Sequence, residues 1–155
     1  MTTPVIGQPA PPFSATSTFG AISLEQCAGR GVVLYFYPKD NTPGCTTETQ
    51  DFKNLHEEFV AAGCVVIGAS RDSLKSHENF SLKLTLPFPL LADKEEILCN
   101  QYDVIKQKMM YGKQVRGIER STFLIDKHGK LVQVWRGVKV PGHAQEVLQS
   151  ARSLT

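Results

Sequence analysis

No C-x-x-C pair occurs in this chain, and no segment reaches 18 consecutive apolar residues. The first absence argues against a dithiol oxidoreductase, since the four cysteines stand far apart at 27, 45, 64 and 99. It argues equally against a zinc site or a small disulfide scaffold, and the histidines at 56, 77, 128 and 143 are as scattered, so neither a metal nor a cofactor is expected. A cysteine phosphatase would need arginine six residues after its nucleophile, where Cys45 is followed by Asp51. Also missing is any basic run: charged residues make up 21% and the formal net charge is +2, a balance that points to neither nucleic acid nor a membrane surface. The start, MTTPVIGQPAPPF, has no charged n-region and no apolar h-region, which predicts a cytoplasmic protein.

What is present suits one domain spanning residues 1–155. Hydrophobic residues amount to 41%, enough to build a core without disulfide staples. Phe13-Ser14 and Ala21 to Ser23 read as a small N-terminal hairpin, and Ser23 with Gln26 three residues on resembles a capping box that places Cys27 on a short helical turn. Val32 to Tyr37 is a continuous apolar run of strand length, as is Cys64 to Ala69. Between them, Phe52, Leu55, Phe59 and Ala62 recur at helical steps, predicting one helix from about Gly44 to Ala62 and hence a right-handed βαβ unit. A second helix is expected over Ser73 to Leu84, a short strand at Pro87 to Leu91, and a third helix starting at Asp93 and running to about Tyr102. Lys106 to Gly117, polar and basic, reads as a surface loop. Thr122 to Ile125 and Leu131 to Trp135 form a predicted hairpin, and His143 to Leu154 a closing helix. This order gives an α/β fold, a mixed central sheet flanked by helices.

The stretch Tyr35 to Cys45, YFYPKDNTPGC, carries the chemistry. An apolar strand ends at Pro38, a polar turn follows, and Pro43-Gly44 delivers Cys45 onto the first turn of a helix. Unpaired N–H groups and the positive dipole end there favour a thiolate over a thiol, which marks Cys45 as a low-pKa nucleophile. Thr42 can turn its hydroxyl toward the same pocket, Pro38 can shield the sulfur without offering an N–H, Gly44 brings bare backbone close, and Glu48 stands one helical turn on.

Pro38, Thr42 and Cys45 fit P-x-x-x-T-x-x-C, and PKDNTPGCTTE with the later GIERSTFLID resembles the peroxiredoxins of the bacterioferritin comigratory (PrxQ) type. The resemblance implies a thioredoxin-like fold and a thiol peroxidase that reduces hydrogen peroxide and organic hydroperoxides through a cysteine sulfenic acid. Thioredoxin or another thiol would recycle it, and the chain would be a monomer. It also implies that Arg120, before the Ser121 to Ile125 segment, is set against Cys45; from the residues alone a surface arginine is the favoured reading, with Arg116 as the alternative neighbour. Relatives carry a resolving cysteine five residues after the peroxidatic one, here Gln50, or in the next helix near the position aligned with Ser81. Neither is cysteine, so the resolving thiol is unknown: the pattern fits a one-cysteine enzyme or an engineered chain in which Ser81 replaces a cysteine. Cys99 ranks above strand-borne Cys64 as an internal partner. Outside the peroxidases, a thioredoxin-fold thiol oxidoreductase or a holdase or binding module shares the expected fold.

Overall fold

In the computed structural model, which describes residues 3–154 apart from the side chain of Met110, a seven-stranded mixed sheet runs through the middle of the molecule. Its strands are β1 (Ser14–Ser17), β2 (Gly20–Ser23), β3 (Gly31–Phe36), β4 (Cys64–Ser70), β5 (Leu90–Ala92), β8 (Ser121–Ile125) and β9 (Leu131–Arg136), in the order β2-β1-β5-β4-β3-β8-β9. A separate two-stranded ribbon consists of β6 (Ile105–Met110) and β7 (Lys113–Ile118). The helices are α1 (Pro43–Asn54), α2 (His56–Ala61), α3 (Leu74–Leu84), α4 (Ile97–Gln101) and α5 (His143–Arg152). This is the expected mixed sheet between helices, with the N-terminal hairpin β1–β2 at one edge.

β3 sits centrally, parallel to β4 and antiparallel to β8. All six of its residues are buried because both faces are covered, as a continuous apolar run requires. Alternation then splits the core in two. Val33, Tyr35 and Tyr37 point to the face packed by Phe52, Phe59, Phe80 and Val147, whereas Val32, Leu34 and Phe36 meet Leu98, Cys99, Tyr102 and Phe123 on the other. The capping box at Ser23 and Gln26 forms, each backbone N–H reaching the other's side-chain oxygen at 3.3 Å, ahead of a 3-10 turn holding Cys27.

Three sequence expectations need correction. The predicted single helix over Gly44 to Ala62 is two, broken at Leu55, whose φ and ψ are −99° and 3°. Across the break the Phe52 and Phe59 rings pack with centroids 5.9 Å apart, and no glycine or proline announces it. Residues Lys106 to Gly117 are no loop but most of the β6–β7 hairpin, turned by Tyr111 and Gly112, both at positive φ. Its side chains are largely exposed, so no apolar alternation marked the strands. Asp93 does not begin a helix. α4 starts four residues later, and the Asp93 carboxylate accepts from the backbone N–H groups of Leu98 and Cys99 at 3.0 and 2.7 Å.

Gly68 in β4 illustrates how tightly side chains of neighbouring strands fill the sheet face, Tyr35 of β3 and Leu90 of β5 being its cross-strand partners. A Cβ there would meet Leu90 Cδ2 at 2.7 Å and the Tyr35 ring at 2.9 Å. Gly68→Ala should therefore cost about 1–3 kcal/mol through overpacking, read as a lowered urea midpoint with unchanged m-value; an unaltered midpoint would show that the Tyr35 ring moves aside freely.

Candidate active site

The site forms where β3 ends. Beyond Phe36 the chain passes half-buried Pro38 and turns at Asn41, whose φ of 64° is a left-handed conformation asparagine tolerates, with Lys83 Nζ donating to its Oδ1 at 2.7 Å. Thr42 is extended and precedes α1, whose first residue is Pro43, a position where a missing N–H costs nothing. Cys45 is the third residue of α1 and 1% exposed. The residue thus stands in the first turn, where backbone N–H groups lack intrahelical partners, and it packs in the core cluster that holds Tyr35 and Tyr37.

Arg120 reaches it through sheet topology. Because β8 runs antiparallel to β3, Ser121 pairs with Phe36, and the residue just before β8 arrives at the end where Cys45 begins its helix. The guanidinium donates from Nη2 to Cys45 Sγ at 3.5 Å and from Nη1 to Glu48 Oε1 at 2.6 Å. Gly44 keeps that approach open, since a Cβ there would lie 3.2 Å from Nη2. Burial works against the Arg120 charge, but Glu48 and Cys45 outweigh it and hold the guanidinium above its usual value. Glu48 is almost wholly buried with Oε2 unpartnered, so burial pushes its carboxyl up to about 7 against the pull of Arg120.

Arg116 is elsewhere. It pairs with Glu96 through two short bonds, and Glu96 also receives Arg71 at 2.9 Å, so the two arginines hold that carboxyl down at about 2. Thr42 donates its hydroxyl hydrogen to the Lys39 carbonyl at 2.8 Å, closing the turn and leaving the oxygen as an acceptor. Sequence reading missed the polar network beneath the site. Tyr35 and Thr49 hydroxyls meet at 2.9 Å, and Thr122 Oγ1 lies 2.7 Å from Nε2 of His143, whose basicity burial lowers to about 4. Only the contact order of the fold unites these residues. Among the described residues one trio of metal-type donors, Asp40, Asp72 and His77, lies within 4.8 Å, but hydrogen bonds within the protein occupy both His77 nitrogens and both Asp40 oxygens.

Likeness to known proteins places the chain in a family. Residues 6–134 match the AhpC/TSA family. The chain is 51% identical to Peroxiredoxin Bcp of Xanthomonas campestris pv. campestris over 99% of its own length and 98% of the relative's, and 48% identical to Peroxiredoxin Bcp of Bacillus subtilis, covering 97% and 96%. The chain is a peroxiredoxin of the Bcp (PrxQ) type.

Solved structures agree. A cysteine-to-serine mutant of Xanthomonas campestris Peroxiredoxin Q superposes with a TM-score of 0.91 at 51% identity, covering 99% of this chain and 100% of that one. A structure of Xanthomonas campestris bacterioferritin comigratory protein, described in terms of alkyl peroxide reduction, gives 0.86 at 53%, covering 91% and 90%.

Among the described residues of this peroxiredoxin all four cysteines are free, and none is bonded to Cys45. Cys64 opens β4 beside Gly31, five residues before the Phe36–Ala69 rung at the active end, which is about 16 Å at ~3.3 Å per residue. Cys99, ranked above it on sequence, lies in the core on the opposite face of the sheet from Cys45, so the ranking fails: the sheet itself stands between them. Burial raises the thiols of Cys27, Cys64 and Cys99, the last assisted by Asp93. Gln50 is exposed on α1 and Ser81 half-buried on α3.

Two outcomes test the geometry. Arg120→Ala should slow oxidation of Cys45 by hydrogen peroxide at least ~10²-fold, the effect of losing one oriented donor, while Arg116→Ala does much less; stopped-flow rates in the reverse order would move the role to Arg116. Glu48 holds its proton more tightly folded than unfolded, so its contribution to stability is full below pH 4.5 and lost as pH rises through about 7. Relative to Glu48→Gln, the wild-type protein should lose up to about 3 kcal/mol between pH 4.5 and 8 in urea melts, and parallel stability curves would refute the buried proton.

Proposed function

We propose that this chain reduces hydrogen peroxide and organic hydroperoxides with Cys45 as the peroxidatic nucleophile. The observation that carries this reading is the Arg120 guanidinium, aimed at the sulfur from one nitrogen and fixed by Glu48 through the other. The Cys45 thiolate attacks one peroxide oxygen in line, the S–O bond forms as the O–O bond breaks, and the departing oxygen takes a proton to leave as water or an alcohol. Arg120 favours the thiolate before attack and the charge that builds on oxygen during it. Thr42 contributes by shaping the turn ahead of α1, and while its hydroxyl donates to the Lys39 carbonyl its oxygen stays free to accept from a peroxide O–H. Pro38 shapes the entrance.

The alkyl peroxide reduction described for the Xanthomonas protein supports organic hydroperoxides as substrates. The product, Cys45 sulfenic acid, condenses with a thiol to release water, and a second thiol then frees Cys45 from the mixed disulfide. With Cys64 and Cys99 remote, that thiol comes from outside, from thioredoxin or a small thiol. Two cysteine-to-serine mutants of the Xanthomonas protein have their mutated positions as far apart in sequence as Cys45 and Ser81 are here, which supports Ser81 as the place where such relatives hold a second cysteine. Four free cysteines accord with a reducing cytoplasm, and a monomer completes the proposal. A holdase has no use for the arginine on the sulfur, and a dithiol oxidoreductase would need a second thiol beside Cys45.

Cys45→Ser should abolish peroxide consumption with the fold intact. After one equivalent of peroxide, intact mass with a dimedone trap should find sulfenic acid on Cys45, whereas Ser81→Cys should close a Cys45 to residue 81 disulfide instead. A dominant crosslink from Cys45 to Cys64 or Cys99 in peptide maps would sink the external-thiol reading.

A further inference from the structure

The turn that carries Cys45 into its helix is gripped from behind by a buried histidine. Leu91 of β5 offers a carbonyl 2.8 Å from His77 Nε2, and a carbonyl only accepts, so Nε2 carries hydrogen. On the other side of the ring, Nδ1 lies 2.8 Å from Asp40 Oδ2. That carboxyl group also takes the Tyr37 hydroxyl on Oδ1 at 2.6 Å and the Ser76 hydroxyl on Oδ2 at 2.8 Å. Burial above all pushes the Tyr37 phenol well up, so it remains a donor. With hydroxyl donors on both of its oxygens the carboxyl group acts as an acceptor, and a bare Nδ1 lone pair at 2.8 Å would repel it. Nδ1 therefore carries hydrogen too. Asp72, whose carboxylate accepts the Asp40 backbone N–H at 2.9 Å and the Ser70 hydroxyl, adds a second negative group to the same cluster.

We propose that His77, as an imidazolium paired with the Asp40 carboxylate, is a positioning residue of the peroxidatic site, fastening the Lys39–Thr42 turn to α3 and β5. The proposal rests on the peroxidase reading. Its mechanism is mechanical: Asp40 lies in the turn, His77 and Ser76 lie on α3, and the His77 ring spans from one to the carbonyl of β5. Side chains of His77 and Asp40 are 0% and 2% exposed, so water cannot replace either bond. With the turn fixed, the first residues of α1 and the Cys45 sulfur stay at the reach of Arg120. Reaction rates respond steeply to such displacements, a misplacement of about 1 Å costing as much as ~10²-fold.

Nitrogen-15 NMR of histidine-labelled, reduced protein at pH 7, with His77 assigned by its loss in His77→Gln, tests the charge. Both His77 nitrogens should resonate as protonated, and in Asp40→Asn, where an amide N–H can face Nδ1, one should move to the unprotonated range. Stopped-flow oxidation by hydrogen peroxide tests the positioning. Asp40→Ala and His77→Gln should each slow Cys45 oxidation ~10-fold or more, with Asp40→Asn recovering most of the rate lost in Asp40→Ala. Tyr102→Phe, which removes a partly buried bond to the Pro11 carbonyl away from the turn, should lower stability without slowing oxidation. A neutral His77 in the wild-type protein, or undiminished oxidation in a folded Asp40→Ala or His77→Gln, overturns the proposal. If neither variant folds, the NMR comparison of wild type with Asp40→Asn decides. Should the wild-type protein consume no peroxide, the peroxidase reading falls, while the spectra still judge the His77–Asp40 pair.

Discussion

Phe36 and Ser121 face each other across an antiparallel rung, and that pairing lets a guanidinium reach a thiol 75 residues away in sequence. Were β8 parallel to β3, Arg120 would emerge at the opposite end of the sheet, beside Cys64 rather than Cys45. The central strand therefore does two things at once. Its alternating side chains anchor both cores, and its last residues define the point where strand, turn, helix and arginine converge.

Electrostatics at that point are a contest over one cation. Glu48 holds Arg120 at 2.6 Å, and the same guanidinium serves the Cys45 sulfur at 3.5 Å. Burying Glu48 weakens its own ionisation, which leaves more of the arginine's charge for the sulfur than an exposed carboxylate would. Arg116, chemically identical and four residues away, is spent on Glu96 and Arg71's neighbourhood, bracing the β6–β7 ribbon against α4. The difference between the two arginines is one of address, not of chemistry.

The Asp40 cluster does for the turn what Glu48 does for Arg120. Peroxidatic chemistry needs a sulfur held near a donor, and both are held by buried polar partners rather than by packing alone. Such networks restrict the local conformations more sharply than apolar contacts do, because each broken bond leaves an unsatisfied group behind.

Local information lay open in the sequence. The buried strands, the Ser23 cap and the Pro-Gly entry to α1 follow from side-chain period, capping chemistry and fixed φ, all properties of a few neighbouring residues. Cys45 was legible for the same reason, and Arg120 through its resemblance to a family motif. The break at Leu55, the exposed β6–β7 hairpin and the Thr42 hydroxyl turned to Lys39 were not, since each is decided by partners that sequence distance conceals or by solvent that leaves no apolar pattern. The tertiary structure alone ruled on the cysteines: one sheet, placed between Cys45 and Cys99 and separating Cys45 from Cys64 along its length, leaves Cys45 without a disulfide partner among the described residues, because a disulfide requires proximity that covalent order does not encode.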